Sequence, residues 1–186
     1  MNKTFKWGVI GTGGIANAFA NDLKYIENHI VESVLSRNLE TAKIFASNHN
    51  KCKGYHKEEL FFENSNIDAI YIATPNTLHA QQCIESLQYK IPVLCEKPFS
   101  INLEETQNMV SASKENNTTL LEAMWMRYLP HIEFLKKILK ENRIGKIHSL
   151  YACHGQNLTR VNNPRLWTKE LGGGALLDLG IYVVSL

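Results

Sequence analysis

Hydrophobic and polar positions follow two alternating patterns over residues 1–123. Apolar residues recur every four positions at Ile15, Phe19 and Leu23, which is typical of a helix with one buried face. The same kind of spacing predicts further helices around residues 39–48, 80–87 and 102–113. Short apolar runs predict strands at residues 5–10, 31–35, 53–55, 68–73, 93–95 and 118–121. Because strands and helices alternate, the fold class is α/β, with a doubly wound parallel sheet and helices on both of its faces.

The pattern changes after residue 123. Pro130 begins a predicted helix with one apolar side, and Gly145 ends it. Residues 146–157 alternate in character and predict a strand, whereas residues 175–186 predict another helix. We therefore expect the first domain to end at about residue 123.

Composition narrows the class of protein without indicating a function. The chain has 186 residues, 20% of them charged, and a net charge of +2, which argues against nucleic acid or an anionic membrane as a partner. It has no apolar signal segment, and no stretch approaches the ~20 apolar residues of a membrane-spanning helix, so we expect a cytoplasmic protein. Its four cysteines include no Cys-x-x-Cys pair, and we expect them to be reduced. No metal site is predicted.

A glycine-rich turn, GTGGIA at residues 11–16, follows the first predicted strand and opens the first helix. This is the strand-turn-helix context that the dinucleotide-binding fingerprint requires. Gly11 allows the tight turn, Gly13 allows close approach of a pyrophosphate, and Ala16 takes the place of the third glycine, where helix and strand pack closely. The pyrophosphate would lie at the helix N-terminus. The turn favours a Rossmann-type dinucleotide site, and a methyltransferase with a similar loop is the less favoured alternative.

The end of the second predicted strand bears on the choice between NAD and NADP. An NAD site usually presents an acid to the ribose there, but this chain has Ser36 and Arg37 instead. Ser36 can donate a hydrogen bond, and a guanidinium can form a bidentate pair with a 2′-phosphate. We therefore predict NADP as the cofactor, with NAD possible. The alternative interpretation of Arg37 is a solvated loop residue.

A charged pair and a proline, Glu96-Lys97-Pro98, end the predicted strand at residues 93–95. Ligands of open α/β sheets bind outside the carboxyl ends of the strands, so Lys97 is expected to face the ligand crevice. A solvated loop lysine beside a turn proline is the alternative.

Taken in order, the motifs of this chain resemble those of the Gfo/Idh/MocA oxidoreductases, which include glucose-fructose oxidoreductase and inositol dehydrogenase. The resemblance rests on the glycine turn, TPNTLH at 74–79, EKP at 96–98, EAMW at 122–125 and GGGALLDLGIY at 172–182. The EAMW string and the final tyrosine are most like the dihydrodiol dehydrogenase branch. The resemblance extends over the whole chain.

The resemblance implies roles for individual residues. Lys97 would lie beside the nicotinamide and the reacting hydroxyl, Asp178 would orient the substrate, and Tyr182 takes the position where many relatives carry a histidine acid/base. An unperturbed tyrosine, with a pKa of about 10, is a weak base at neutral pH, so a nearby cation would have to stabilise its phenolate. The candidate catalytic residues are Lys97, Tyr182 and Asp178. The candidate cofactor-binding residues are Gly11, Gly13, Gly14, Ile15, Ala16, Ser36, Arg37, Thr74, Pro75, Asn76, His79, Glu96 and Lys97.

His79 and Trp125 also keep an alternative interpretation. His79 could instead be a helix-start residue that bonds to backbone. Trp125 could line the substrate pocket, but packing is as good an explanation, so it is not among the catalytic candidates.

The resemblance also implies an activity and a domain organisation. We expect an NADP-dependent oxidoreductase that moves a hydride between a sugar, polyol or cyclic diol hydroxyl and the nicotinamide; the alternative is a non-catalytic nucleotide-binding regulator of the same fold. Residues 1–123 would form the NAD(P)-binding Rossmann domain, and residues 124–186 part of an α+β substrate and dimerisation domain. We expect the chain to be truncated at its C-terminus and the full-length form to be a homodimer.

Overall fold

The computed structural model of this chain describes residues 3–49, 52–64, 66–158 and 163–186. The chain divides into two compact units, Met1–Glu122 and Ala123–Leu186.

The first unit is built on a six-stranded sheet in which every neighbouring pair of strands is parallel. The strands are β1 (Phe5–Ile10), β2 (His29–Leu35), β3 (Lys53–Tyr55), β4 (Ala69–Ile72), β5 (Val93–Cys95) and β6 (Leu120–Glu122). Their order across the sheet is β3-β2-β1-β4-β5-β6. The predicted fold class is thereby confirmed. The order reverses between β1 and β4, and ligands of such sheets bind at this switch point, at the carboxyl ends of the strands.

The helices of the first unit are α1 (Gly14–Asp22), α2 (Leu39–Asn48), α3 (Glu58–Asn64), α4 (His79–Gln88) and α5 (Leu103–Glu115). Asparagine side chains cap two of them: Asn38 accepts a hydrogen bond from the Glu40 backbone N–H at 2.7 Å, and Asn102 accepts one from the Glu105 backbone N–H at 2.8 Å. These caps determine where α2 and α5 begin. Helix α3 was not predicted from the sequence.

The core of the first unit lies between the sheet and its helices. The four residues of β4 are all buried, as expected for a strand covered on both faces. Phe61 of α3, Leu87 of α4 and Met109 of α5 are fully buried in the same cluster as Ile70 and Ile72. Each such side chain stabilises the fold by about 1.5–3 kcal/mol.

The second unit contains α6 (Pro130–Lys140), α7 (Pro164–Trp167) and α8 (Ile181–Val184), the last preceded by a π-helical turn at Leu176–Gly180. The helix predicted from Pro130 ends five residues before Gly145, and the helix predicted near the end of the chain is observed over residues 176–184. The predicted strand at residues 146–157 is wrong, because residues 147–158 form neither helix nor strand. A strand needs a neighbour for its backbone hydrogen bonds, and the described part of this unit contains no other strand.

None of the helices in the described ranges combines the length and the apolar character that crossing a bilayer requires.

Candidate functional site

The glycine turn after β1 lies against the carboxyl ends of β2 and β4. Gly11 has φ of +108°, and a Cβ at this position would lie 2.7 Å from the carbonyl oxygen of Ala73, just after β4. Only glycine fits such a conformation at so close an approach. The Gly11 N–H donates to the carbonyl of Leu35, the last residue of β2, at 2.9 Å. The turn therefore joins three neighbouring strands at the edge where a ligand is expected.

Helix α1 starts from this turn with its N-terminus open. Gly13 is the N-cap residue, and its extended backbone brings no side chain to cap the helix. A Cβ on Gly13 or Gly14 would meet no atom within 4 Å, so the turn leaves room beside the first helical N–H groups. Ile15 follows with half of its surface exposed. An uncapped helix N-terminus with this much space suits a phosphate group, because its N–H groups and dipole attract negative charge.

Asn17, half-buried on α1, supports the glycine turn. Its Nδ2 donates to the carbonyls of Thr12 and Gly13 at 3.1 and 2.9 Å, which leaves Oδ1 to accept a hydrogen bond from His49 Nε2 at 2.8 Å. Burial, with a smaller contribution from the charge of Lys24, lowers the pKa of His49 below its ordinary value. A neutral imidazole with its proton on Nε2 fits both observations. Neither residue was a sequence candidate, since nothing in the local pattern marks a hydrogen bond between α1 and the residue that follows α2.

Hydroxyl groups converge at the end of β2. The Ser36 hydroxyl lies 2.7 Å from the Thr41 hydroxyl and 3.5 Å from that of Thr12, while the backbone N–H of Ser36 donates to Tyr55 at 3.0 Å. Arg37 follows with its side chain exposed to solvent. The sequence indicated Ser36 and Arg37, but the structure adds Thr12 and Thr41. Thr41 donates its own hydrogen to the carbonyl of Asn38 at 2.8 Å, so an anion beside the glycine turn would take its hydroxyl hydrogen bonds from Ser36 and Thr12.

The segment after β4 carries both exposed and buried candidates. Pro75 is exposed and Thr74 half-buried, with its hydroxyl donating to Gln82 at 2.6 Å, whereas Asn76 is buried. The His79 ring is fully buried, with Nδ1 at 2.9 Å from the carbonyl of Pro98 and Nε2 at 3.0 Å from that of Thr74. The His79 ring thus bonds to backbone, as the alternative interpretation of this residue expected. The ring links the segment after β4 to the segment that follows Lys97.

The segment after β5 holds Lys97 half-buried, and the Lys97–Pro98 peptide bond is cis. Glu96 is buried, and both of its carboxylate oxygens accept protein donors, the Tyr71 hydroxyl at 2.5 Å and the Lys97 backbone N–H at 3.1 Å. Burial is the main cause that raises the pKa of Glu96 above its ordinary range.

The predicted cofactor-binding residues differ in burial. Ala16, Asn76, His79 and Glu96 expose less than a tenth of their surface. Their side chains lie within the first unit. Ala16 acts by packing, as expected where it takes the place of the third glycine.

The remaining candidates belong to the second unit. Asp178 lies in the π-helical turn and Tyr182 one turn later, on α8. The indole N–H of Trp125 donates to the Tyr182 hydroxyl oxygen at 3.3 Å, and the two rings meet edge to face at 5.8 Å. The ring of His154 lies 5.3 Å from the Tyr182 ring. His154 was missed because its segment was interpreted as a strand.

Two family profiles match the chain. Residues 5–124 match an oxidoreductase family with an NAD-binding Rossmann fold, and residues 132–186 match a Gfo/Idh/MocA C-terminal domain.

The curated relatives include dehydrogenases of diols and inositols. The chain is 36% identical to a trans-1,2-dihydrobenzene-1,2-diol dehydrogenase of Xenopus tropicalis, over 97% of the chain and 54% of that protein. It is 35% identical to a scyllo-inositol 2-dehydrogenase (NADP(+)) of Bacillus subtilis, over 96% of the chain and 56% of that protein. The chain thus spans about half the length of these relatives.

Solved structures share the fold at lower identity. An oxidoreductase from Agrobacterium radiobacter, in complex with NAD+, L-tartaric acid and magnesium, is 19% identical with a TM-score of 0.82, over 98% of this chain and 53% of that one. With both profiles matched and the curated relatives above 30% identity, the chain belongs to the Gfo/Idh/MocA family of oxidoreductases.

Proposed function

We propose that this chain supplies the cofactor site of an NADP-dependent dehydrogenase that acts on a hydroxyl of a cyclic diol, a polyol or a sugar. The observation that carries the choice of cofactor is the hydroxyl cluster of Thr12, Ser36 and Thr41 beside Arg37, at the strand end where NAD sites usually place an acid. The Bacillus subtilis relative is named a scyllo-inositol 2-dehydrogenase (NADP(+)), which supports the same choice.

The accessible part of the predicted set provides the direct contacts. The pyrophosphate would bind at the N-terminus of α1, where the glycine turn leaves room, and the 2′-phosphate would bind at the hydroxyl cluster and Arg37. We propose as cofactor contacts Gly11, Gly13, Gly14, Ile15, Ser36, Arg37, Thr74, Pro75 and Lys97. Ala16, Asn76, His79 and Glu96 hold this surface in place from inside the first unit.

Lys97, Asp178 and Tyr182 are the residues that we propose for the reaction itself. When bound, the nicotinamide supplies the hydride acceptor or donor. The Lys97 ammonium would hold the reacting oxygen by a charge-assisted hydrogen bond and favour its negative form. Asp178 would accept a hydrogen bond from a neighbouring substrate hydroxyl and so orient the ring. Tyr182 would accept the proton of the reacting hydroxyl as a phenolate when the alcohol is oxidised, and would return it from the neutral phenol when the carbonyl is reduced. In either form its oxygen also accepts the N–H of Trp125.

The domain roles follow from these assignments. We propose residues 1–123 as the cofactor domain and residues 124–186 as part of a substrate and dimerisation domain. Apolar side chains on α6 support the second role, since Phe134 and Leu139 are exposed by 58% and 38%. Analytical ultracentrifugation across a concentration series would show whether the protein associates into dimers.

The cofactor assignment is tested by titrating the chain with NADPH and with NADH. We expect NADPH to bind more tightly, and Arg37→Ala to remove most of the difference while leaving NADH binding unchanged. Arg143→Ala is the matched control, because Arg143 is an exposed arginine of the second unit. Equal affinity for the two nucleotides in the wild-type protein would refute the choice of NADP.

The reaction is tested with trans-dihydrobenzenediol and scyllo-inositol as substrates, in a protein of the length of the relatives, because this chain spans about half of them. Lys97→Met should abolish most of the turnover, and its nucleotide affinity should stay close to that of the wild type, because the lysine acts on the reacting hydroxyl. Turnover that survives this substitution would refute the role of Lys97. Tight nucleotide binding without turnover on any alcohol tested would instead favour a nucleotide-binding regulator.

A further inference from the structure

Glu96 connects a tyrosine of the sheet to Lys97. One carboxylate oxygen accepts the Tyr71 hydroxyl at 2.5 Å, and the other accepts the backbone N–H of Lys97 at 3.1 Å. The Glu96 backbone N–H donates to Ile72 at the end of β4, at 2.9 Å. Both the backbone and the side chain of this glutamate are therefore fixed by neighbours, and its carboxylate restrains the residue that we propose for catalysis.

A second carboxylate restrains the other side of the same segment. Glu122, at the end of β6, accepts the backbone N–H of Phe99 at 3.1 Å through Oε1. Glu122 lies opposite Cys95 in the parallel pairing of β5 and β6. The backbone at Lys97 and Phe99 is thus held by carboxylates on either side of the cis peptide bond. The charge of Glu122 adds to burial in raising the pKa of Glu96.

Tyr71 is itself rigidly placed. It is 2% exposed, and its ring stacks on that of Phe19 from α1, with the ring centres 3.9 Å apart and the planes 19° from parallel. Burial and the charge of Glu96 raise the pKa of Tyr71 far above its ordinary value, so the hydroxyl keeps its proton and donates a hydrogen bond to the carboxylate.

We propose that Tyr71 and Glu96 form a positioning pair for Lys97, in which the tyrosine hydroxyl holds the carboxylate and the carboxylate holds the lysine backbone and faces its positive charge. This inference rests on the proposed role of Lys97. A buried carboxylate is unfavourable unless donors and an opposite charge compensate it, and here Tyr71 and Lys97 supply both. Neither member of the pair touches the reacting atoms, so both act through Lys97.

Tyr71→Phe is the test variant, since it removes one hydroxyl and keeps the stacked ring. The matched control is Tyr25→Phe, because Tyr25 is 89% exposed. Carboxyl ¹³C NMR should show the Glu96 titration moving to higher pH in Tyr71→Phe alone, because the carboxylate has lost a donor. The ε-carbon signal of Lys97 should shift in the same variant and stay in place in the control.

Turnover gives the second readout. In Tyr71→Phe we expect kcat to fall by about tenfold to a hundredfold through misplacement of Lys97, with nucleotide affinity within twofold of wild type. The acid limb of the kcat profile should move to higher pH, since Glu96 must be ionised to face Lys97. A fold defect alone would lower the amount of active protein without moving this limb.

Glu96→Gln provides an independent variant that retains a hydrogen-bond acceptor and removes the charge. It should lower kcat, and adding Tyr71→Phe to it should change kcat by less than twofold, because the tyrosine acts through the carboxylate. The proposal is overturned if Tyr71→Phe leaves the Glu96 titration and the Lys97 ε-carbon signal unchanged. It is also overturned if the titration and the signal both shift while kcat stays at the wild-type value. The NMR measurement decides the coupling in any case, whereas survival of turnover in Lys97→Met would refute the proposed function separately.

Discussion

Removal of the Asn17 side chain is the perturbation that tests most directly how the glycine turn is held. Asn17→Ala deletes the hydrogen bonds to the carbonyls of Thr12 and Gly13 and leaves the N–H of His49 without an acceptor. Water can replace Asn17 at the Gly13 carbonyl, where the bond is exposed, so this loss is small. His49 is 5% exposed, and water cannot reach its N–H in the same way.

The magnitude follows from this difference in exposure. A typical net hydrogen bond contributes about 0.5–1.5 kcal/mol, and a buried donor left without an acceptor costs about 1–3 kcal/mol. We therefore expect Asn17→Ala to lower the free energy of unfolding of the first unit by about 2–4 kcal/mol. The nucleotide should also bind about tenfold more weakly, which corresponds to about 1.4 kcal/mol, because the turn that receives the pyrophosphate is less well fixed.

The assay must report on the first unit alone. Fluorine NMR of 5-fluorotryptophan at Trp7 in β1 follows urea unfolding of this unit, and calorimetric titration with NADPH gives the affinity. Asn21→Ala is the matched control, because Asn21 is exposed on the same helix and, among the described residues, its side chain accepts a hydrogen bond from the exposed Lys24 only. In a His49→Leu background, Asn17→Ala should cost less, since no donor is stranded. Asn17→Ala with a stability within about 0.5 kcal/mol of the control would refute the reasoning.

Further predictions concern the turn, the pH dependence and the second unit. Gly11→Ala should destabilise the protein by about 2–4 kcal/mol, because Gly11 has a positive φ and lies close to the carbonyl of Ala73. Gly13→Ala should cost less than about 1 kcal/mol, because a Cβ there would lie in open space. Thermal unfolding compares the two variants. Because the pKa of His49 is lowered in the folded protein, the contribution of His49 to stability is present above pH ~6.5 and is lost as the pH falls toward the pKa of the folded state. Urea unfolding between pH 7 and 5 should show this loss of stability, and His49→Gln should make the loss smaller. Tyr182→Phe should greatly lower turnover at unchanged nucleotide affinity, while Tyr128→Phe, at an exposed tyrosine of the same unit, should not; equal rates would argue against Tyr182 as the proton carrier.

The sheet could be predicted because its signals are local. An apolar run of four to six residues identifies a buried strand, and the apolar period of the next segment identifies the helix that covers it. Helix α3 escaped this reasoning because its seven residues are too few to show a period. The strand predicted at residues 146–157 is wrong because alternation of apolar and polar residues produces a strand only where a neighbouring strand can pair with it.

The candidate site was predictable only in its motif residues. Ser36 was identified from its place after β2, but Thr41 joins it through a hydroxyl contact that the sequence does not indicate. Tyr71 looked like one more apolar residue of a buried strand, and its bond to Glu96 spans 25 positions of the chain. Contacts of this kind depend on which strands are neighbours, and a pattern read along one segment contains no such information.

The backbone on both sides of Lys97 is held by residues from other elements. Its neighbours Glu96 and Pro98 are both buried, and each bonds to a residue from another element: Tyr71 of β4 donates to the carboxylate, and His79 of α4 contacts the Pro98 carbonyl. Glu122 of β6 holds the next backbone N–H. Three different elements therefore fix the backbone on both sides of the lysine, while its own side chain stays half-exposed. Since a catalytic ammonium is useful only if its position is set within a fraction of an ångström, these contacts are the support that the proposed role of Lys97 requires.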